Sequence, residues 1–207
     1  MVMSLLRQQR MHRLAFAALL MSGTIARASD GRDPEHAVRL VAAAGLGQVQ
    51  MTGEHYGSAE TEAGLEGIIW FGPNIGGGLL ATHDIIVPWN PRDPDSNLVH
   101  YDEGLEPELT LRDSIRRFGH GELSLQGSAG VGMAKVRTMD LSGIHGHEEH
   151  TTGDAKEVAS TTSMTASVAG AVALRVSWLE VTLGARAQAN RAGDWSIGPQ
   201  LTLGAAF

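Results

Sequence analysis

The 207-residue chain contains no cysteine. That removes disulfide frameworks, thiolate metal centres and anchoring through a lipobox thiol. No segment holds about twenty consecutive apolar residues, which excludes a transmembrane helix. Basic residues are scarce, 16 Lys and Arg against 23 acids for a net charge of −7, and nothing points to a nucleic-acid partner, which would call for a basic patch. Neither a G-x-S-x-G elbow nor an H-E-x-x-H pair occurs, so the common hydrolase signatures are missing. Nothing in the chain points to a cofactor. Aromatics make up only 5 % of it, and their positions are therefore informative.

Residues 1–28 read as a secretory signal peptide. Arg7, Arg10 and Arg13 form a basic start, Leu14 to Met21 a short apolar core, and Ala26-Arg27-Ala28 a small-x-small cleavage site. Met11 opens a shorter version of the same leader. The competing reading is a membrane anchor, but eight apolar residues are too few to span a bilayer. Cleavage before Ser29 leaves one domain, residues 29–207. The leader holds four of the sixteen basic residues and no acid, so twelve bases face twenty-three acids and the net charge becomes −11.

The remaining chain alternates with a period of two, the spacing of strands. Four segments are clear: Glu122 to Val136, Val158 to Val176, Leu179 to Ala189 and Trp195 to Phe207. Ala37 to Gln50, Gly64 to Gly72 and Ile75 to Ile86 add three more, the last two forming a hairpin around Pro73-Asn74. The eighth, Glu106 to Phe118, places Leu109, Leu111 and Ile115 on one face together with Asp113. Leu111, Ile115 and Phe118 also fit a helical stripe; the strand reading needs a bulge. Long polar connections are expected at Met51–Thr61, Pro88–Leu105 and Arg137–Glu157. Tight turns are expected at Pro73-Asn74, Gly119–Gly121 and Ser177-Trp178, and Asn190–Gly193 is short. An exported chain without membrane helices can cross a bilayer as a closed barrel, in which every backbone group pairs between strands.

In the final segment Trp195, Ile197, Leu201, Leu203, Ala205 and Phe207 lie on one face, while Ser196, Gly198, Gln200, Thr202, Gly204 and Ala206 lie on the other. With its aromatic end, this segment resembles the terminal strand of the small bacterial outer-membrane β-barrels. The resemblance implies an all-β, eight-stranded antiparallel up-and-down transmembrane barrel in the outer membrane of a Gram-negative cell. It implies that Leu201, Leu203 and Phe207 serve as the signal read by the barrel assembly machinery. It also implies lipid and lipopolysaccharide as neighbours and a monomeric state. Pro199 resists, because a barrel has no free edge; it must lie at a bulge or above the paired region. The aromatics agree with interfacial girdles: Trp70, Phe71, Phe118, Trp178 and Phe207 at one set of strand ends, Trp89 and Trp195 at the other, and Tyr56 and Tyr101 in loops.

Period-two parity places Arg39, Glu66, Arg112, Arg116, Glu122, Arg175, Glu180 and Arg186 in the lumen. An eight-stranded barrel is just wide enough for side chains to fill it. These charges are expected to pair and plug the interior, giving a structural or surface-interaction protein; a narrow ion-selective or porin-like path, or transport of a small hydrophobic solute, is the alternative. His145, His147 and His150, beside Glu148 and Glu149, are the candidate metal ligands of an otherwise solvated loop. His83, Asp84 and Ser96 are the candidates for a lipid-modifying rim triad, against which stands the opposite direction of neighbouring strand side chains. A soluble periplasmic barrel would need the reverse polarity, apolar inside and polar outside.

Overall fold

The computed structural model describes residues 36–51, 54–89, 98–141, 156–191 and 193–207. They form eight strands: β1 (His36–Met51), β2 (Glu54–Trp70), β3 (Ile75–Trp89), β4 (Leu98–Phe118), β5 (Gly121–Asp140), β6 (Lys156–Val176), β7 (Leu179–Asn190) and β8 (Trp195–Ala206). Each pairs antiparallel with its chain neighbour, and β8 returns to β1, closing the barrel. Among the described residues no helix is long and apolar enough to cross a membrane, a statement about helices alone. The proposed leader, residues 1–28, lies outside the described residues.

The barrel is inside-out relative to a soluble protein. Leu46, Val168 and Leu183 stand 58–66 % exposed on the outer wall, whereas Arg39, Glu66 and Arg186 are 4–5 % exposed within. An antiparallel strand sends alternate side chains to opposite faces, so period two in the sequence becomes apolar wall and polar lumen. Three tight turns, after β2, β4 and β6, share one end with both termini of the paired chain; this is the turn end, and the opposite is the far end. Gly119 takes φ +52° and Ser177 φ +58°, the left-handed backbone that two-residue hairpin turns demand.

Several strands are longer than the sequence suggests, chiefly toward the far end. β2 already begins at Glu54 rather than Gly64, so most of the expected polar connection Met51–Thr61 is strand. β3 runs on to Trp89, and β4 starts at Leu98 rather than Glu106. Ser58, Glu60, Glu62 and Asp102 are buried there. They resemble loop residues only under the assumption that a buried strand face is apolar. Tyr56 and Tyr101, expected in loops, therefore belong to β2 and β4.

β4 is a strand, not a helix, and the expected bulge is present: its register to β5 shifts between Ser114 and Arg116. Asp113 is exposed on the outer face, as its parity implies. The bulge overturns one assignment. Arg116 pairs opposite Leu123 and is exposed, while Arg117 takes the place opposite lumenal Glu122. One extra residue exchanges the two faces.

Pro199 is accommodated differently from expectation. It pairs with Ala185 on β7, and on the β1 side the ladder is simply interrupted between Ala43↔Gln200 and Leu46↔Ile197 without any change of register. Pro107 does the same: it pairs with Leu79 on β3 and leaves a gap toward β5 between Leu105↔Met133 and Glu108↔Gly130. Each proline thus turns its missing donor toward a single neighbour.

Candidate functional site

Any function seated inside the barrel must use its lumen, which is layered. At the turn end Ala37, Ile68, Trp70 and Ala206 form a small apolar cluster; at the far end Val49 and Ile86 form another, with Tyr56 and Leu98 packed against it. Charged side chains fill the space between. Trp70, expected in the outer girdle beside Phe71, instead points inward and is buried, with the Arg112 guanidinium 4.4 Å above its ring. Phe71, Trp89 and Trp195 are exposed on the outer wall or its rims.

Two arginines organise the interior. Arg39 on β1 donates to Glu66 at 3.3 Å and to Gln126 at 2.8 Å, and it is ion-paired with Glu180. Arg186 on β7 reaches Glu106 at 3.1 Å and Glu108 at 3.3 Å, and its Nε lies 3.4 Å from Glu62. Ser167 donates to Glu106, adding a hydrogen bond to a carboxylate that burial would otherwise leave underserved. Nearer the turn end, Arg112 donates through Nε and Nη2 to the Pro73 carbonyl at 3.1 and 3.0 Å, and Arg175 pairs with Glu122 at 2.7 Å. Cavities among these side chains measure about 20 Å³ beside Asp102 and about 30 Å³ beside Arg39. That is room for single waters rather than a continuous bore.

Seven of the eight lumen residues expected from parity are therefore inside and interact electrostatically with one another or with further carboxylates, Arg112 with Glu122 among them; Arg116 is on the outer face. Glu60, Glu62, Asp102, Glu106 and Glu108 are buried inside as well, beyond the eight expected. The signal was available: stepping back by two from Glu66 gives Gly64, Glu62, Glu60 and Ser58, and from Arg112 gives Thr110, Glu108, Glu106, Gly104 and Asp102. Their inclusion changes the electrostatics. Among the described residues ten carboxylates but only three guanidiniums, those of Arg39, Arg112 and Arg186, are buried. The excess lies toward the far end. There Glu60, Glu62 and Asp84 bring carboxylate oxygens within 4.8 Å of one another, and Gln188 donates to Glu60 at 2.9 Å and to Asp84 at 3.4 Å.

His83 and Asp84 diverge as neighbouring strand residues do: Asp84 is buried in the lumen, and His83 lies outside with its ring 6.2 Å from that of Tyr101. Ser96, the third member of that candidate triad, and the loop histidines His145, His147 and His150 lie outside the described residues. Leu201 and Leu203 are exposed on the outer wall, and Phe207 exchanges two backbone hydrogen bonds with His36, each 2.8 Å, where the barrel closes.

No protein-family model matches the chain, and no curated protein matches it. Solved structures resemble it in fold. Ail, the attachment invasion locus protein of Yersinia pestis, seen in complex with the heparin analogue sucrose octasulfate, shares 11 % identity over 84 % of this chain and 99 % of its own, with a TM-score of 0.46. The N-terminal β-barrel domain of Pseudomonas aeruginosa OprF shares 11 % over 85 % and 100 %, with a TM-score of 0.45. Neisserial surface protein A shares 10 % over 86 % and 99 %, with a TM-score of 0.48. The chain has the fold of an outer-membrane β-barrel: eight antiparallel strands in a closed ring, with an apolar wall around a polar interior.

Proposed function

We propose that this chain is an exported, monomeric outer-membrane protein that works as a structural or surface-interaction element rather than as an enzyme or an open pore. The observation carrying the reading is the combination of an apolar wall with a lumen stopped by ion pairs and closed by apolar residues at both ends. Such a wall has no counterpart on a soluble monomer, where contiguous apolar patches rarely exceed a few hundred Å². Residues 1–28 direct export and are removed. Trp195 to Phe207, with Leu201, Leu203 and Phe207 as its signal residues, is the segment read by the assembly machinery. The turn end faces the periplasm, as short turns do in this architecture, and the far end meets lipopolysaccharide or external ligands.

Cell fractionation tests location: the protein is expected in outer membranes and to migrate faster on unheated gels, and recovery from soluble periplasm would sink the reading. Planar-bilayer recording of the refolded protein tests closure, with no steady conductance expected. A conductance that changes in Arg175→Ala and Glu180→Gln would instead establish the narrow channel.

A further inference from the structure

The far half of the lumen holds more carboxyl groups than its own cations answer. Arg186 is shared among Glu62, Glu106 and Glu108; Glu60 and Asp84 have the Gln188 amide as their common donor, and Glu60 a further hydrogen bond with Ser196. We propose that this region binds one hard divalent cation, Ca²⁺ or Mn²⁺, between the carboxylates of Glu60, Glu62 and Asp84, with Asp102 completing the site.

Beyond the approach of three acids to within 4.8 Å, two features point to a ligand. The first is orphaned oxygen: Asp84 Oδ1 and Glu62 Oε1 are buried without a hydrogen-bond partner, in a protein interior where such atoms are normally satisfied. The second comes from another strand. Asp102 is 3 % exposed, its Oδ1 is equally orphaned, and it stands directly across from Asp84 in the β3–β4 ladder. It lines, together with Glu60, Gln188 and Asp194, a cavity of about 20 Å³ that adjoins the three-acid cluster through Glu60, large enough for a single water-sized guest.

The donor set decides the chemistry. Carboxylate oxygens with no thiolate suit Ca²⁺, Mn²⁺ or Mg²⁺ over softer metals, and Mg²⁺ surrenders its hydration shell reluctantly in an all-protein cage. Gln188, bonded to both Glu60 and Asp84, holds two of the ligands in place, as partners behind metal ligands commonly do. The apolar cluster of Val49 and Ile86 at the far end hinders later entry, so the ion is captured as the barrel closes.

The test is refolding in lipopolysaccharide-free detergent micelles with Mn²⁺, followed by removal of free metal and electron paramagnetic resonance of what is retained. One Mn²⁺ per barrel is expected, displaced when Ca²⁺ is present during refolding. Asp84→Asn and Asp102→Asn are each expected to weaken retention about 10–100-fold, and in EDTA both are expected to melt above the wild type because carboxylate repulsion is relieved. Glu103→Gln, an acid on the outer wall, and the triple variant His145→Ala/His147→Ala/His150→Ala are expected to retain Mn²⁺ unchanged. No retained Mn²⁺, retention undiminished in Asp84→Asn and Asp102→Asn, or loss in the triple-histidine variant would each overturn the proposal.

Discussion

Arg186 on β7 and Glu106 on β4 meet inside the barrel at 3.1 Å, although 80 residues of chain separate them. The pair belongs to a cluster in which one guanidinium serves three carboxylates, and the cluster is asymmetric in consequence. Removing the single cation leaves three buried carboxyl groups without their partner, so Arg186→Met is expected to destabilise the barrel by about 3–5 kcal/mol. Glu106→Gln in that background is expected to recover part of the loss. Urea titration of the refolded protein, read by tryptophan fluorescence, checks both, and equal midpoints for Arg186→Met and wild type would mean the cluster is effectively solvated.

Arg112 uses its planar fork on a single carbonyl oxygen, that of Pro73, while its face covers Trp70. A lysine offers neither the fork nor the flat face. Arg112→Lys is therefore expected to cost about 1.5–3 kcal/mol, the scale of a lost charged hydrogen bond. A change in the emission of Trp70 should accompany it, and a lysine variant as stable as wild type would assign the position to charge alone.

Leu183 is 64 % exposed and stands between Val172 and Leu201 on the outer wall. If that wall faces lipid, Leu183→Arg costs about 2–4 kcal/mol at mid-bilayer. On a water-facing surface the same change would stay within about ±0.5 kcal/mol. Folding yield into lipid vesicles, scored by the unheated-gel shift, separates the two; the expected result is a marked loss in vesicles.

Where β1 and β8 meet, a Cβ on Gly198 would run into the Ala44 carbonyl oxygen. That obstacle is backbone and cannot swing aside. Gly198→Ala is expected to destabilise by about 1–3 kcal/mol through forced separation of the two strands. Gly170→Ala, where nothing lies within 4 Å of the added carbon, is expected to be neutral or slightly stabilising because the unfolded chain loses freedom. Parallel thermal melts of the two variants make the comparison, and similar effects would contradict the close approach.

The strands were legible because their outer faces are mostly apolar: Met164, Ala166, Val168, Val172, Leu174 and Val176 announce β6 without help from the lumen face. Their far ends were not, because Ser58, Glu60, Glu62 and Asp102 look solvated until the inversion of the barrel is taken seriously. The bulge in β4 falls after Asp113 and leaves it on the outer face, and parity alone cannot say at which residue the faces exchange, so it assigns Arg116 rather than Arg117 to the lumen. Pairings such as Arg39 with Glu180, or Arg186 with Glu106, depend on how the strands are staggered around the ring. That stagger is a property of closure, which no single strand encodes.

Pro199 leaves a gap in the one ladder that joins strands distant in sequence. Seven of the eight pairings connect chain neighbours and can zip locally, whereas Leu40 must find Leu203. The entropic charge for closing so long a loop grows only logarithmically, but nothing offsets it until the contact is made, so this junction forms last. Until then β1 and β8 are two bare sheet edges, each able to pair with another copy as readily as with the other. A nascent chain in this state is a substrate for aggregation, and a partner that occupies one edge would hold the sheet open yet safe. The weak point of the finished barrel is therefore the place where its biogenesis is most open to control.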